Sequence, residues 1–174
     1  MIFVLNDHKT GFILTRKIFN IIKKKYKLKL SYRTFYLFWN IHTTNHKYII
    51  ITRHPKEIII SGYLYHKKCS ELWCVNKNGF YYNYWIDNHF LNEEIIKNTT
   101  YINRIKNVSN NSSYQNKLNT ITQNQGIILE MKTIAYNTIM GMYNYNYYDK
   151  SNVLTIKFED LIFNFEETIH KIFI

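Results

Sequence analysis

Proline, glycine and cysteine are all scarce in this chain, with one, five and two copies in 174 residues. The glycines form no Gly-x-x-x-x-Gly-Lys-Ser/Thr loop. The clearest strand ends in Arg53 rather than a magnesium-binding acid, so a small-molecule kinase is a weak reading. Two cysteines, Cys69 and Cys74, are too few for a disulfide scaffold. His66 joins them in a His/Cys/Cys group, but no fourth ligand stands at metal-site spacing, and ordinary thiols with no bound metal are expected. No stretch approaches the roughly 20 apolar residues of a membrane span. The apolar run Met1 to Leu5 is too short for a signal peptide, so the expected setting is the cytoplasm.

What the chain does have is apolar and basic residues. Hydrophobic residues make up 46% and aromatics 17%, which fits a globular chain long enough to bury a core. A single domain over 1–174 is expected. Twenty-three lysines and arginines against 12 acids give a net charge of +11, which favours anionic partners. AT-rich coding produces the same surplus of Lys, Asn, Ile and Tyr, so the total charge carries little weight by itself.

Residues 2–5 are apolar and read as a buried strand, and 12–25 has helical spacing that ends in Lys23-Lys24-Lys25, where cations suit a helix terminus. Residues 26–32 alternate like a strand. Residues 48–52 are a continuous β-branched run of the kind found inside parallel sheets, and Pro55 stands where the first turn of a helix over 56–66 would take it. Residues 87–107 read as helix capped by Asp87, 107–125 as a polar loop or insert, and 127–142 as helix. A strand at 153–158 and a closing helix from Phe165 follow. Alternating strands and helices predict an α/β fold, three-layered around a mostly parallel sheet.

Two segments share one plan. Ile2 to Leu5, the turn Asn6-Asp7-His8-Lys9-Thr10-Gly11 and the helix from Phe12 form the first; Tyr48 to Thr52, Arg53-His54-Pro55 and the helix from Lys56 form the second. A helix that starts where a strand ends points free N–H groups and its positive dipole end at the turn, which suits phosphate or sulfate. Ligands in such sheets sit beyond the carboxyl ends of the strands, so both turns are expected on one edge.

These residues resemble the sulfotransferase family, which moves a sulfuryl group from 3′-phosphoadenosine 5′-phosphosulfate (PAPS) to an acceptor. The family's 5′-phosphosulfate loop runs Pro/His-Lys-x-Gly-Thr-Thr/Ser, and His8-Lys9-Thr10-Gly11 is similar to its first half. Arg53, Pro55, Ser61 and Tyr63 are similar to the 3′-phosphate motif, with the Arg–Ser spacing kept. Val153 to Leu161 resembles the strand that leads into a Glu-Asp-Leu turn, here Glu159-Asp160-Leu161. The resemblance implies a P-loop NTPase-like sulfotransferase fold, PAPS as co-substrate and no metal. It implies that His8, Lys9, Thr10, Gly11, Phe12 and Ile13 hold the phosphosulfate and that Arg53 and Ser61 hold the 3′-phosphate. Lys9 would then neutralise the leaving group.

The family places a general-base His shortly before the Arg-bearing strand; His42 is the implied counterpart and His46 the second choice. The implied acceptor is a hydroxyl or amine of a carbohydrate or small molecule. Phe12 and Ile13 stand where the family has hydroxyl residues, and Thr10 or Thr15 is the candidate substitute. The sequence reaches Ile174 without the family's Gly-x-x-Gly-x-x-Lys segment, which closes over the 3′-phosphate.

Plainer readings stand beside this one. A Lys before a Gly is often a solvated turn, and Tyr81, Tyr82, Tyr84 and Trp85 fit core packing as well as an acceptor pocket. A catalytically inactive sulfotransferase-like protein accounts for Phe12-Ile13. A basic nucleic-acid-binding module accounts for the composition but not for the ordered motifs, so nucleic acid is not the expected partner.

Overall fold

The structure is a computed structural model that describes residues 1–34, 46–75, 112–144 and 151–173. His42, the aromatic run of Tyr81 to Trp85 and the helix expected over 87–107 lie outside the described residues. The chain divides into two compact units, Met1–Ile58 with Asn137–Ile174, and Ile59–Tyr136.

The first unit is an α/β fold. Strand β1 (Ile2–Asn6) leads through helix α1 (Phe12–Tyr26) to β2 (Leu30–Thr34), and β3 (Lys47–Thr52) and β4 (Val153–Lys157) complete the described strands. The sheet order is β2-β1-β3-β4 and every pairing is parallel. A sheet with these helices is compatible with a three-layer arrangement.

Parallel strands are covered on both faces, and the residues obey that rule. Val4, Ile49, Ile51 and Ile156 pack on one face with Phe19 and Ile22 of α1 and Leu161. Phe3, Leu5, Tyr48 and Ile50, their alternates along β1 and β3, are also buried. Each such side chain contributes about 1.5–3 kcal/mol through burial.

Helix α1 runs one residue beyond its expected end and closes at Lys27, left-handed at φ 51, whose N–H donates to the Lys23 carbonyl. The strand expected over 26–32 therefore starts only at Leu30. In β4 the strand ends at Lys157, because Phe158 opens the short helix Phe158–Phe163 (called α7 below). The Glu159-Asp160-Leu161 turn is thus the first turn of a helix, and Phe165–His170 (α8) follows.

The second unit takes in most of helix α2 (Pro55–His66), then α3 (Leu72–Val75), α4 (Tyr114–Thr120), α5 (Gln123–Lys132) and the start of α6 (Ile134–Asn144). The polar stretch 107–125, expected as a loop, is helical from Tyr114 to Thr120 and again from Gln123. Local caps explain it. Ser113 accepts from the Asn116 N–H, and Thr122 and Gln125 form a capping box. The core of this unit joins Tyr63, Cys69, Cys74, Tyr114, Leu118 and Ile134. No described helix is long and apolar enough to cross a membrane.

Candidate functional site

The strand order decides where a ligand can sit. From β1 the chain passes outward to β2 on one side, while its other neighbour, β3, pairs onward to β4. The β1/β3 boundary is therefore the topological switch point, the place at the carboxyl ends of the strands where open α/β sheets bind ligands. The two turns singled out in the sequence follow these two strands.

The first turn is built by its own hydrogen bonds. The N–H and hydroxyl of Thr10 both donate to the Asp7 carbonyl, at 3.2 and 2.8 Å. Lys9, the third residue of that turn, is left-handed at φ 62, where glycine or asparagine is usual. Gly11 caps α1 at φ 89, and its carbonyl accepts from the Thr15 N–H at 3.0 Å and hydroxyl at 2.9 Å. Both hydroxyls that could replace the donors absent at Phe12 and Ile13 are thus turned onto backbone carbonyls. Gly11, the N-cap, has no side chain to cap α1, and the first turn of the helix holds no acid. Asn6, buried at the end of β1, donates to the Thr15 hydroxyl at 3.5 Å, and its Oδ1 has no hydrogen-bond partner among the described residues.

Gly11 has a second reason to be glycine. A Cβ at this position would lie 2.0 Å from the ring of Phe158. The same ring carries the Arg53 guanidinium, 5.0 Å from its centroid. Phe158 is therefore wedged between the two turns.

Arg53 ties the turns together. Its Nη1 donates to the Lys9 carbonyl at 3.0 Å, and its backbone N–H donates to Met142 Sδ at 3.4 Å. Nη2 lies 3.6 Å from Glu57 Oε2, one helical turn on. Nε is buried without a partner among the described residues.

The second turn is filled by the chain's own groups. His54 N–H donates to Glu159 Oε1 at 2.9 Å, and Lys56 N–H donates to His54 Nδ1 at 3.2 Å. Glu57 and Ile58 N–H groups donate to the His54 carbonyl. At this second turn Glu159 thus accepts from the backbone that would otherwise face a ligand. Ser61 lies half-buried further along α2, in the second unit.

His46 is on the wrong edge to serve as a base. It precedes β3, packs its ring at a tilt against Phe3 with centroids 5.3 Å apart, and stands a whole strand of about 20 Å from the Arg53 turn.

No family model, curated protein or solved structure matches this chain.

Sequence reasoning missed Glu57 and Phe158. Glu57 is the i+4 neighbour of Arg53 on a helix and could have been found from that spacing. Phe158 has no sequence signal, since only the β3–β4 pairing brings it to Arg53.

The second unit holds a separate buried polar cluster. His66 Nδ1 and Tyr114 Oη lie 2.8 and 2.7 Å from Glu130 Oε2, and Thr133 Oγ1 is 2.9 Å from the Tyr114 hydroxyl. Gly62 makes room for the carboxylate, since a Cβ there would fall 2.3 Å from Glu130 Oε1. His66 is thus engaged by Glu130, while Cys74 and Cys69 Sγ lie 3.4 and 3.9 Å from its backbone carbonyl. Among the described residues no group of His, Cys, Asp and Glu could hold a metal ion. Burial pushes the Tyr114 hydroxyl well above its ordinary range, and the neighbouring Glu130 charge adds to the shift.

Proposed function

We propose that the two turns at the carboxyl ends of β1 and β3 bind PAPS and that the chain is a sulfotransferase-like enzyme of P-loop-like fold. The observation that carries this reading is the hydrogen bond from Arg53 to the Lys9 carbonyl at the switch point, which ties the two strand-end turns together. The N-terminus of α1, where Gly11 is the N-cap, would offer backbone N–H groups of Phe12 and Ile13 to a phosphosulfate, with His8, Thr10 and Gly11 as the wall of that turn. Arg53 would supply charge for the 3′-phosphate, with Nε as its uncommitted donor.

In the reaction an acceptor hydroxyl or amine attacks sulfur. The bond from sulfur to the bridging oxygen breaks, and the nucleotide product PAP (3′-phosphoadenosine 5′-phosphate) leaves with its new negative charge. Lys9 neutralises that charge, which is the larger part of such catalysis. The acceptor's proton passes to a base, for which His42 is the proposed residue. His54 is a poorer choice: with Nδ1 accepting from Lys56 N–H, its neutral ring carries the proton on Nε2 and donates there.

A second reading, a nucleotide-binding relative without transfer activity, is favoured by the committed hydroxyls of Thr10 and Thr15 and by Glu159 at the second turn. Incubation with radiosulfate-labelled PAPS and a panel of carbohydrate and small hydroxyl or amine acceptors separates the two. Acceptor-dependent transfer that falls at least about a hundredfold in Lys9→Ala supports the enzyme. PAP binding without transfer to any acceptor supports the inactive relative.

A further inference from the structure

Helix α1 breaks the rule that a surface helix turns polar residues outward. Its inward stripe is Thr15, Phe19 and Ile22, all buried. The stripe directly opposite is Ile13, Lys17, Ile21 and Lys24, spaced i, i+4, i+8 and i+11. Ile13 is 73% exposed and Ile21 68% exposed. Single exposed aliphatics are ordinary, but two that alternate with lysines along the outermost line of one helix form a pattern.

The stretch of sequence that carries this stripe bears charge of one sign. No Asp or Glu stands between Asp7 and Glu57, and that stretch holds twelve of the 23 lysines and arginines. Coding bias enriches lysine and isoleucine, but it does not remove acids from one region or set the two residue types on one line of a helix.

We propose that the outward face of α1 docks on an anionic phospholipid surface. Lysine heads pair with acidic headgroups while their methylene stems and the two isoleucines reach toward the acyl boundary. Each lysine near such a surface raises affinity about fivefold. A nucleic acid would use the lysines alone, because its bases stack on aromatic and arginine planes rather than on isoleucine. The exposed aliphatics therefore favour lipid. This inference is independent of the nucleotide reading.

The test is co-sedimentation of the full chain with phosphatidylcholine vesicles, with or without about a third phosphatidylserine, at roughly 0.1 M salt. Binding to the phosphatidylserine vesicles only is expected. Lys17→Glu/Lys24→Glu should weaken it at least about tenfold. Ile13→Ser/Ile21→Ser, which leaves the charge unchanged, should weaken it about fivefold. All four positions face solvent, and circular dichroism confirms folding; Lys17→Gln/Lys24→Gln serves if the charge reversal misfolds. Failure of the folded chain to pellet with anionic vesicles overturns the proposal. So does vesicle binding that Ile13→Ser/Ile21→Ser leaves unchanged. Oligonucleotide binding that needs the lysines, without vesicle binding, also overturns it and makes the face a nucleic-acid contact.

Discussion

Arg53 Nη1 donates to the backbone carbonyl of Lys9 at 3.0 Å, across two adjacent parallel strands. The guanidinium at the end of β3 thus holds the shape of the turn at the end of β1. Arg53→Ala should cost about 1.5–3 kcal/mol in thermal or urea unfolding, since it strips a charged donor from a carbonyl and a cation from the Phe158 ring. Arg53→Lys should recover only part of this, because an ammonium cannot stack as a planar fork. A change below about 0.5 kcal/mol in Arg53→Ala would mean the bond carries no structural weight.

Gly11 faces two independent penalties when replaced. Its φ of 89 disfavours any side chain, and a Cβ would overlap the Phe158 ring at 2.0 Å. Gly11→Ala should therefore cost about 2–4 kcal/mol. In a Gly11→Ala/Phe158→Ala cycle only the steric part should be recovered. Full additivity of the two losses would contradict the contact.

Lys9 pays for its position in backbone strain, being left-handed at φ 62. Lys9→Gly should be more stable than Lys9→Ala by about 1 kcal/mol, because glycine alone adopts this φ freely. Both should lose nucleotide affinity equally, since both lose the cation. Equal melting temperatures for the two variants would argue against the left-handed turn.

The Glu130 cluster predicts the alkaline behaviour of the second unit. Glu130→Ala removes the buried carboxylate that bonds both His66 and Tyr114 and should cost about 1–3 kcal/mol. Tyr114 has its folded pKa raised above its ordinary value of 10.0, so its stabilisation is complete below pH 10 and declines as the unfolded chain releases its proton above that. Tyr114→Phe should flatten the fall in stability above pH 10, seen in denaturant midpoints. Some fall remains through Cys74, whose thiol burial pushes up from 9.0, and through Tyr65, raised by burial and by Glu71. An unchanged pH profile in Tyr114→Phe would contradict a buried neutral hydroxyl.

Much of the sheet was legible in the sequence, for local reasons. The short apolar runs at 2–5 and 48–52 read as strands covered on both faces, and that placed the Asn6–Gly11 and Arg53–Pro55 turns on one edge. The capping box of Thr122 and Gln125 was also legible, yet the polar composition of 107–125 hides it. What could not be read is set by tertiary pairing. Glu159 reaches His54 N–H, and Phe158 reaches Gly11 and Arg53, because β4 lies beside β3. His46 fails as a base because closeness in sequence to Arg53 becomes a strand's length in space.

Calorimetric titration with PAP, with AMP as control, tests the central claim most directly when wild type is set against Arg53→Ala. One nucleotide site across the two turns predicts that PAP binds at least about tenfold tighter than AMP and that Arg53→Ala abolishes the difference. Folded wild-type protein that binds neither nucleotide, or binds both equally, would contradict it.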